Sequence, residues 1–154
     1  MAIERLSDIL RPESVLAPVR AKTRDGAIAE LVGALSLPGT PADAKALVDA
    51  MVAREQAGST GIGNGVAIPH ARSSRLGTSF LAVGLSPRRI DFGSADGKLV
   101  SLVFLLAVPE SPPGAHLKIL AALSRISSDK KMLRSLNASA DARELYDRLA
   151  SIAV

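Results

Sequence analysis

The run Leu99 to Val108 constrains the fold more than any other stretch: about ten consecutive apolar residues broken only by Ser101. A membrane-spanning helix needs roughly 20 such residues. The run is therefore too short to cross a bilayer and reads as a buried strand. A buried strand needs a sheet and a cover, and the rest of the chain is patterned to supply both. Ser14 to Ala21 reads as an edge strand, Val66 to Ile68 as a short extended segment, and Ser79 to Leu85 as a strand. Between and after them lie stretches of helical spacing. Thr23 to Leu35 places Ala27, Ile28, Leu31, Val32 and Leu35 on one face, with Thr23 as a cap. Thr40-Pro41 opens a second helix that runs to about Gln56, with Ala46, Leu47, Ala50, Met51 and Val52 facing inward. Three more follow the proline-rich loop Pro109 to Gly114: Ala115 to Ile126, Ser128 to Leu136 and Asp141 to Ile152. Strands and helices alternate, so the fold class is α/β with helices packed on a central sheet.

The 154 residues contain no repeat, low-complexity segment or linker and read as a single domain over 1–154. Cysteine is absent. Disulfides, thiolate metal sites and thiol nucleophiles are excluded with it, and a cytoplasmic location fits. Met1 to Ile9 carries Glu4, Arg5 and Asp8 and no apolar core, so no secretory leader is expected. The net charge is +4, but the basic residues are scattered and one Tyr and three Phe offer little to stack on bases. A solvated surface accounts for the charge better than nucleic-acid binding does.

Chemistry concentrates in Arg54-Glu-Gln-Ala-Gly-Ser-Thr-Gly-Ile-Gly-Asn-Gly-Val-Ala-Ile-Pro-His70. The glycine-dense stretch Gly58 to Gly65 is too glycine-rich for a regular element and exposes backbone N–H groups of the kind that form anion nests. Ser59 and Thr60 add hydroxyl donors. It is not a dinucleotide fingerprint, having no strand before it and no helix after it, and no Gly-Lys-Ser/Thr follows as in a P-loop. Pro69 stiffens the approach and holds His70 at a strand end, where α/β folds bind ligands.

The only other histidine, His116, falls in the first turn of a helix. Each of these residues admits two readings. His70 is a strand-end side chain satisfied by hydrogen bonds, or a nucleophile. His116 is a plain helix-start residue, or a group that meets a phosphoryl anion where the helix N-terminus attracts one. Arg54 is a solvated helix-end cation, or a guanidinium fork for phosphate oxygens. Two histidines without a third ligand are a poor metal site.

Thr60-Gly-Ile-Gly-Asn-Gly-Val-Ala-Ile-Pro-His70-Ala-Arg72 closely resembles the active-site signature of the type-2 IIA components of the bacterial phosphotransferase system, the fructose/mannitol class and its nitrogen-regulatory relatives. His70 falls where that family carries its phosphorylated histidine. Arg54 and His116 match its arginine and second histidine in spacing, and His116 to Arg125 resembles its helix. Leu6-Ser-Asp-Ile-Leu-Arg-Pro-Glu-Ser-Val15 is similar to the nitrogen-regulatory branch. The resemblance implies a mixed five-stranded sheet with helices on both sides and no metal or organic cofactor. It implies that His70 attacks a phosphohistidine on an HPr-like donor, stabilised by Arg54 and His116. The pocket it implies is shaped by Ser59, Thr60, Gly61, Gly63, Asn64, Gly65 and Arg72.

Three functions follow from it. The first is a stand-alone nitrogen-regulatory IIA acting on regulatory or ion-transport proteins. The second is a sugar-transport IIA that donates to a IIB acceptor, and the third a non-catalytic binding module. With no cysteine, a fused IIB module of the usual phosphocysteine type is not expected, nor is a membrane or DNA-binding part.

Overall fold

The computed structural model describes residues 2–114 and 116–154. A short 3-10 turn, Leu6–Asp8, leads into β1 (Leu10–Leu16). Two helices follow, α1 (Arg24–Gly33) and α2 (Pro41–Ala57). Then come β2 (Gly61–Gly63), β3 (Val66–Ala67), β4 (His70–Ser73), β5 (Phe80–Ile90) and β6 (Val100–Pro109). The chain closes with α3 (Leu117–Ser128), α4 (Lys130–Asn137) and α5 (Ala142–Ala150).

The apolar run is the strand expected of it. β6 is buried along nearly its whole length and lies at the centre of one mixed sheet ordered β1-β5-β6-β3-β2. β5 pairs with it antiparallel, β3 and β4 pair with it parallel, and β1 runs parallel to β5 at one edge. The six segments make a sheet five strands wide, because β3 and β4 share one lane. Val66 lies opposite Leu102 and His70 opposite Leu106, the same register on β6. Pro69, which lacks an N–H, interrupts that lane without displacing it. His70 therefore does not end a strand, as the sequence suggests, but begins β4.

Alternation of side chains along the strands divides the core in two. Leu81, Val83, Leu102, Phe104 and Leu106 pack under α3, α4 and α5. Ala82, Val103, Leu105 and Ala107 pack under α1 and α2. Among the described residues no helix is long and apolar enough to cross a membrane.

Local chemistry sets the boundaries. Thr23 accepts the Gly26 N–H and opens α1. Thr40 and Asp43 form a reciprocal capping box, with Pro41 at the first helical position of α2. Asp129 and Asp141 cap α4 and α5. Four further expectations need correction. The edge strand is Leu10–Leu16 and ends before Pro18, which cannot donate to a ladder. β5 continues past Leu85 to Ile90, because a register shift lets Pro87 and Arg89 bulge outward without ending the pairing. On α2 the buried residues are Leu47, Met51 and Glu55, a single ridge at four-residue spacing, and Ala46 and Ala50 are exposed.

The fourth correction is β2, a strand inside the glycine-rich stretch. Asn64 (φ 58°) and Gly65 (φ 78°) supply the two positive φ values that a tight hairpin turn between β2 and β3 requires. The helix start read at Ala115 lies outside the described residues. Among those described, α3 begins at Leu117 with His116 as its N-cap residue.

Candidate functional site

His70 and Arg72 occupy alternate positions of β4, opposite Leu106 and Val108. Both partners belong to the core beneath α3, so the two side chains face the α3 side of the sheet. There they meet His116. The two imidazole rings lie nearly parallel, centroids 6.4 Å apart. His116 makes no side-chain cap to α3, which leaves the helix's first N–H groups without that partner. Burial, followed by electrostatic repulsion from His70 and from Arg72, holds the His116 pKa below its ordinary value. His116 thus favours the neutral form beside two groups that would repel a proton.

The His70 ring is fixed from one side. Its Nδ1 lies 2.8 Å from the Ile68 carbonyl. A carbonyl only accepts, so Nδ1 carries a proton, and in the neutral ring it is Nε2 that keeps the lone pair. Ile68 is itself held, its N–H donating to the Thr60 carbonyl at 3.1 Å, and the Pro69 carbonyl accepts the Leu106 N–H at 2.9 Å. Thr60 is anchored in turn by Glu55, a 3% exposed carboxylate on α2. Glu55 accepts the Thr60 N–H at 3.0 Å and the Thr60 hydroxyl on its other oxygen. A continuous chain of contacts therefore runs from α2 to the imidazole.

Glu55 was missed as a site-supporting residue. Its signal was available: a carboxylate eight residues after Leu47 and four after Met51, on the buried ridge, five residues before a threonine.

The rest of the glycine stretch is less open than it reads. The Ser59 hydroxyl donates to the Phe92 carbonyl at 2.5 Å and accepts the Gly61 N–H at 2.9 Å. The Thr60 hydroxyl and N–H are spent on Glu55. Gly61 packs so tightly that a Cβ there would lie 2.0 Å from the Ser94 hydroxyl oxygen. The Asn64 N–H donates to Asp96, and its side-chain amide donates to the Ser127 carbonyl.

Gly63, Asn64 and Gly65 form the far end of the hairpin, and the turn at Gly65 lies about 16 Å from His70 along the strand lane. Arg54, exposed at the end of α2, donates from Nη1 to the Gly58 carbonyl at 2.7 Å. Of the residues singled out in the sequence, the structure brings His70, His116 and Arg72 together. It uses Ser59, Thr60 and Gly61 as the frame, puts Arg54 on that frame's rim, and sets Asn64 and Gly65 apart.

Residues 8–152 match the family described as the phosphoenolpyruvate-dependent sugar phosphotransferase system, EIIA 2. A nitrogen regulatory protein of Bradyrhizobium diazoefficiens is 37% identical over 146 residues, covering 94% of both chains. A fructose-specific EIIA component of Haloferax volcanii is 31% identical over 152 residues, covering 99% of both. The crystal structure of nitrogen regulatory protein IIA-Ntr from Neisseria meningitidis superposes with a TM-score of 0.83 at 32% identity, covering 94% of this chain and 99% of that one. Matched almost end to end by the family and by relatives above 30% identity, the chain belongs to the type-2 EIIA family, a phosphotransfer component of that system.

Proposed function

We propose that His70 accepts a phosphoryl group from an HPr-like phosphohistidine protein, and that the phosphorylation state of His70 then governs which regulatory or ion-transport proteins this chain binds. The observation that carries the reading is the Nδ1 contact to the Ile68 carbonyl. It fixes the tautomer and leaves Nε2 as the one nitrogen able to attack phosphorus.

In the transfer, the bond from phosphorus to the donor imidazole breaks as the bond to His70 Nε2 forms. The donor ring enters as a phosphorylated imidazolium, its other nitrogen protonated, and leaves as neutral imidazole. His70 becomes a phosphorylated imidazolium whose Nδ1–H stays on the Ile68 carbonyl, so no proton needs to move. Catalysis then reduces to alignment and charge stabilisation. His116, Arg72 and the N-terminal amides of α3 are the groups that would meet the phosphoryl oxygens. Arg54 would join them by exchanging the Gly58 carbonyl for a phosphate oxygen. Leu117, 62% exposed beside His116, gives the rim an apolar contact for a docking donor.

The nitrogen-regulatory branch is favoured over the sugar branch by the opening Leu6 to Val15 and by the relative at 37% identity. Donation to a IIB acceptor is the second reading, supported by the fructose-specific EIIA relative at 31%.

Both readings are tested with one labelled donor. A phosphorylated HPr-like protein should place an acid-labile, base-stable label on the parent chain and none on His70→Ala. Full labelling of that variant would refute His70 as the nucleophile. A purified fructose- or mannitol-type IIB is then offered to the labelled protein. Slow or absent discharge supports the regulatory reading, and discharge as fast as loading from the donor establishes the transport reading.

A further inference from the structure

At the end of the sheet away from His70 a cleft of ≈ 600 Å³ opens between the Asn64–Gly65 turn, the β5–β6 end and α4. Sites for small organic ligands span about 300–1,000 Å³. Four cations line this one: Arg89, Lys98, Lys130 and Arg134. No aspartate or glutamate is among its lining residues, and none of the four cations joins an ion pair among the described residues. One carboxylate stands close enough to feel Lys98, that of Asp96. Its oxygens are engaged, accepting the N–H groups of Asn64 at 3.1 Å and Lys98 at 3.0 Å.

The cations come from β5, the β5–β6 connection and α4, and like charges converging on a concavity concentrate a positive potential there. Arg89 reaches the cleft from the β5 bulge in a left-handed conformation, φ 55°, which residues with a Cβ avoid. The lining is mixed, with Asn64, Ser101 and Asn137 beside three leucines. Leu85, Leu99 and Leu133 lie among the charges, and Leu99 is 46% exposed.

We propose that this cleft binds a small organic diphosphate or triphosphate, its phosphates on the cations and its organic part on the leucines. Two arginines supply planar forks for phosphate oxygens, and two lysines supply point charges. No aromatic side chain lines the cleft, so a single-stranded nucleic acid would find no stacking platform. Because the cleft lies a strand's length from His70, its ligand is not the phosphoryl group in transit, and the proposal stands independently of the reaction assigned to His70.

The full chain, isotopically labelled, is titrated with adenosine diphosphate and, in parallel, with inorganic pyrophosphate while amide shifts are followed. The diphosphate nucleotide should bind saturably and more tightly than pyrophosphate, moving the signals of Leu99, Ser101 and Arg134 but not those of His70 and Arg72. Arg89→Ala with Arg134→Ala should weaken it about tenfold or more while the variant's spectrum and melting temperature stay those of the parent. The proposal is overturned if neither probe saturates, if the shifts centre on His70, if the double variant binds equally well, or if pyrophosphate binds as tightly as the nucleotide. It is also overturned if an oligoglutamate peptide or an RNA oligomer occupies the cleft more tightly than the nucleotide, which would assign the surface to a macromolecule.

Discussion

The two ends of the lane formed by β3 and β4 treat their polar groups in opposite ways. At the His70 end almost every donor is spoken for: Thr60 on Glu55, Ile68 on Thr60, His70 Nδ1 on Ile68. At the hairpin end the turn is pinned through Asn64, yet the cations around it carry no ion-pair partner among the described residues. A group that must present one nitrogen to phosphorus gains from a fixed ring, because reaction depends on alignment within fractions of an ångström. A surface that recognises charge gains more from field than from fixed geometry, and long cationic side chains can adapt to what arrives. The internal bonding of the glycine stretch therefore suits it to framing the proposed site, in which the phosphoryl contacts are assigned to His116, Arg72 and the start of α3.

Substituting His116 tests that division most severely. If His116 meets the phosphoryl group without carrying it, His116→Ala still becomes labelled, but more slowly. Loss of one preorganised donor costs about 2.7–4 kcal/mol in a dry site and less where water replaces it. A half-exposed ring calls for roughly a ten- to thousandfold slower single-turnover rate on that scale. An unchanged rate would mean that the frame alone aligns the reaction. Label located on His116 by mass spectrometry would exchange the two roles.

A second test compares stability at the two ends. Glu55→Ala removes both acceptors of Thr60 in a buried place. Each donor left unsatisfied costs about 1–3 kcal/mol, so the two together make a loss of about 2–6 kcal/mol expected, a fall of roughly 4–24 °C in melting temperature for a chain of this size. Lys98→Ala and Arg134→Ala should stay within about 0.5 kcal/mol of the parent, as ordinary surface substitutions do. Equal losses at both ends, read by thermal and denaturant unfolding, would erase the contrast.

Much of this was legible in the residues. Capping chemistry fixed the starts of α1 and α2, because Thr23 and Thr40-Pro41 act on neighbours two or three positions away. The apolar run placed the central strand, because no other environment suits Leu99 to Val108. His70 and His116 stood out as the only histidines, each beside a loop rich in Gly or Pro. The misreadings arose where a partner distant in sequence decides. Gly61 to Gly63 is a strand because Ala67 and Val66 pair with it, and composition alone argued against that. β5 runs past Pro87 because β6 continues opposite it. The inward face of α2 narrowed to one ridge because the sheet, not the helix, decides how wide a stripe is covered. Arg72 gained importance because β4 turns it to the face of α3, and the cationic cleft gathers cations spread from Arg89 to Arg134 that no short window of sequence brings together.

The smallest effect expected concerns the proton on His116. Its pKa is lowered first by burial and then by electrostatic repulsion from His70 and Arg72. In the window below the ordinary value of 6.5 and above the folded value, the unfolded chain binds a proton that the folded chain refuses. Stability should accordingly rise with pH through that window and be lost as pH falls through it, and His116→Gln should flatten the profile there while leaving it unchanged above about pH 7.5, where both states are neutral. Ring-proton titration by NMR resolves the causes. Arg72→Gln removes one repelling charge and should raise the His116 midpoint, whereas Lys98→Gln, at the other end of the lane, should leave it in place. Phosphorylating His70 adds nearly two negative charges at its ring and should raise the midpoint further than Arg72→Gln does. A midpoint indifferent to both changes would show that burial alone sets it, and that His116 does not sense the phosphoryl group it is proposed to meet.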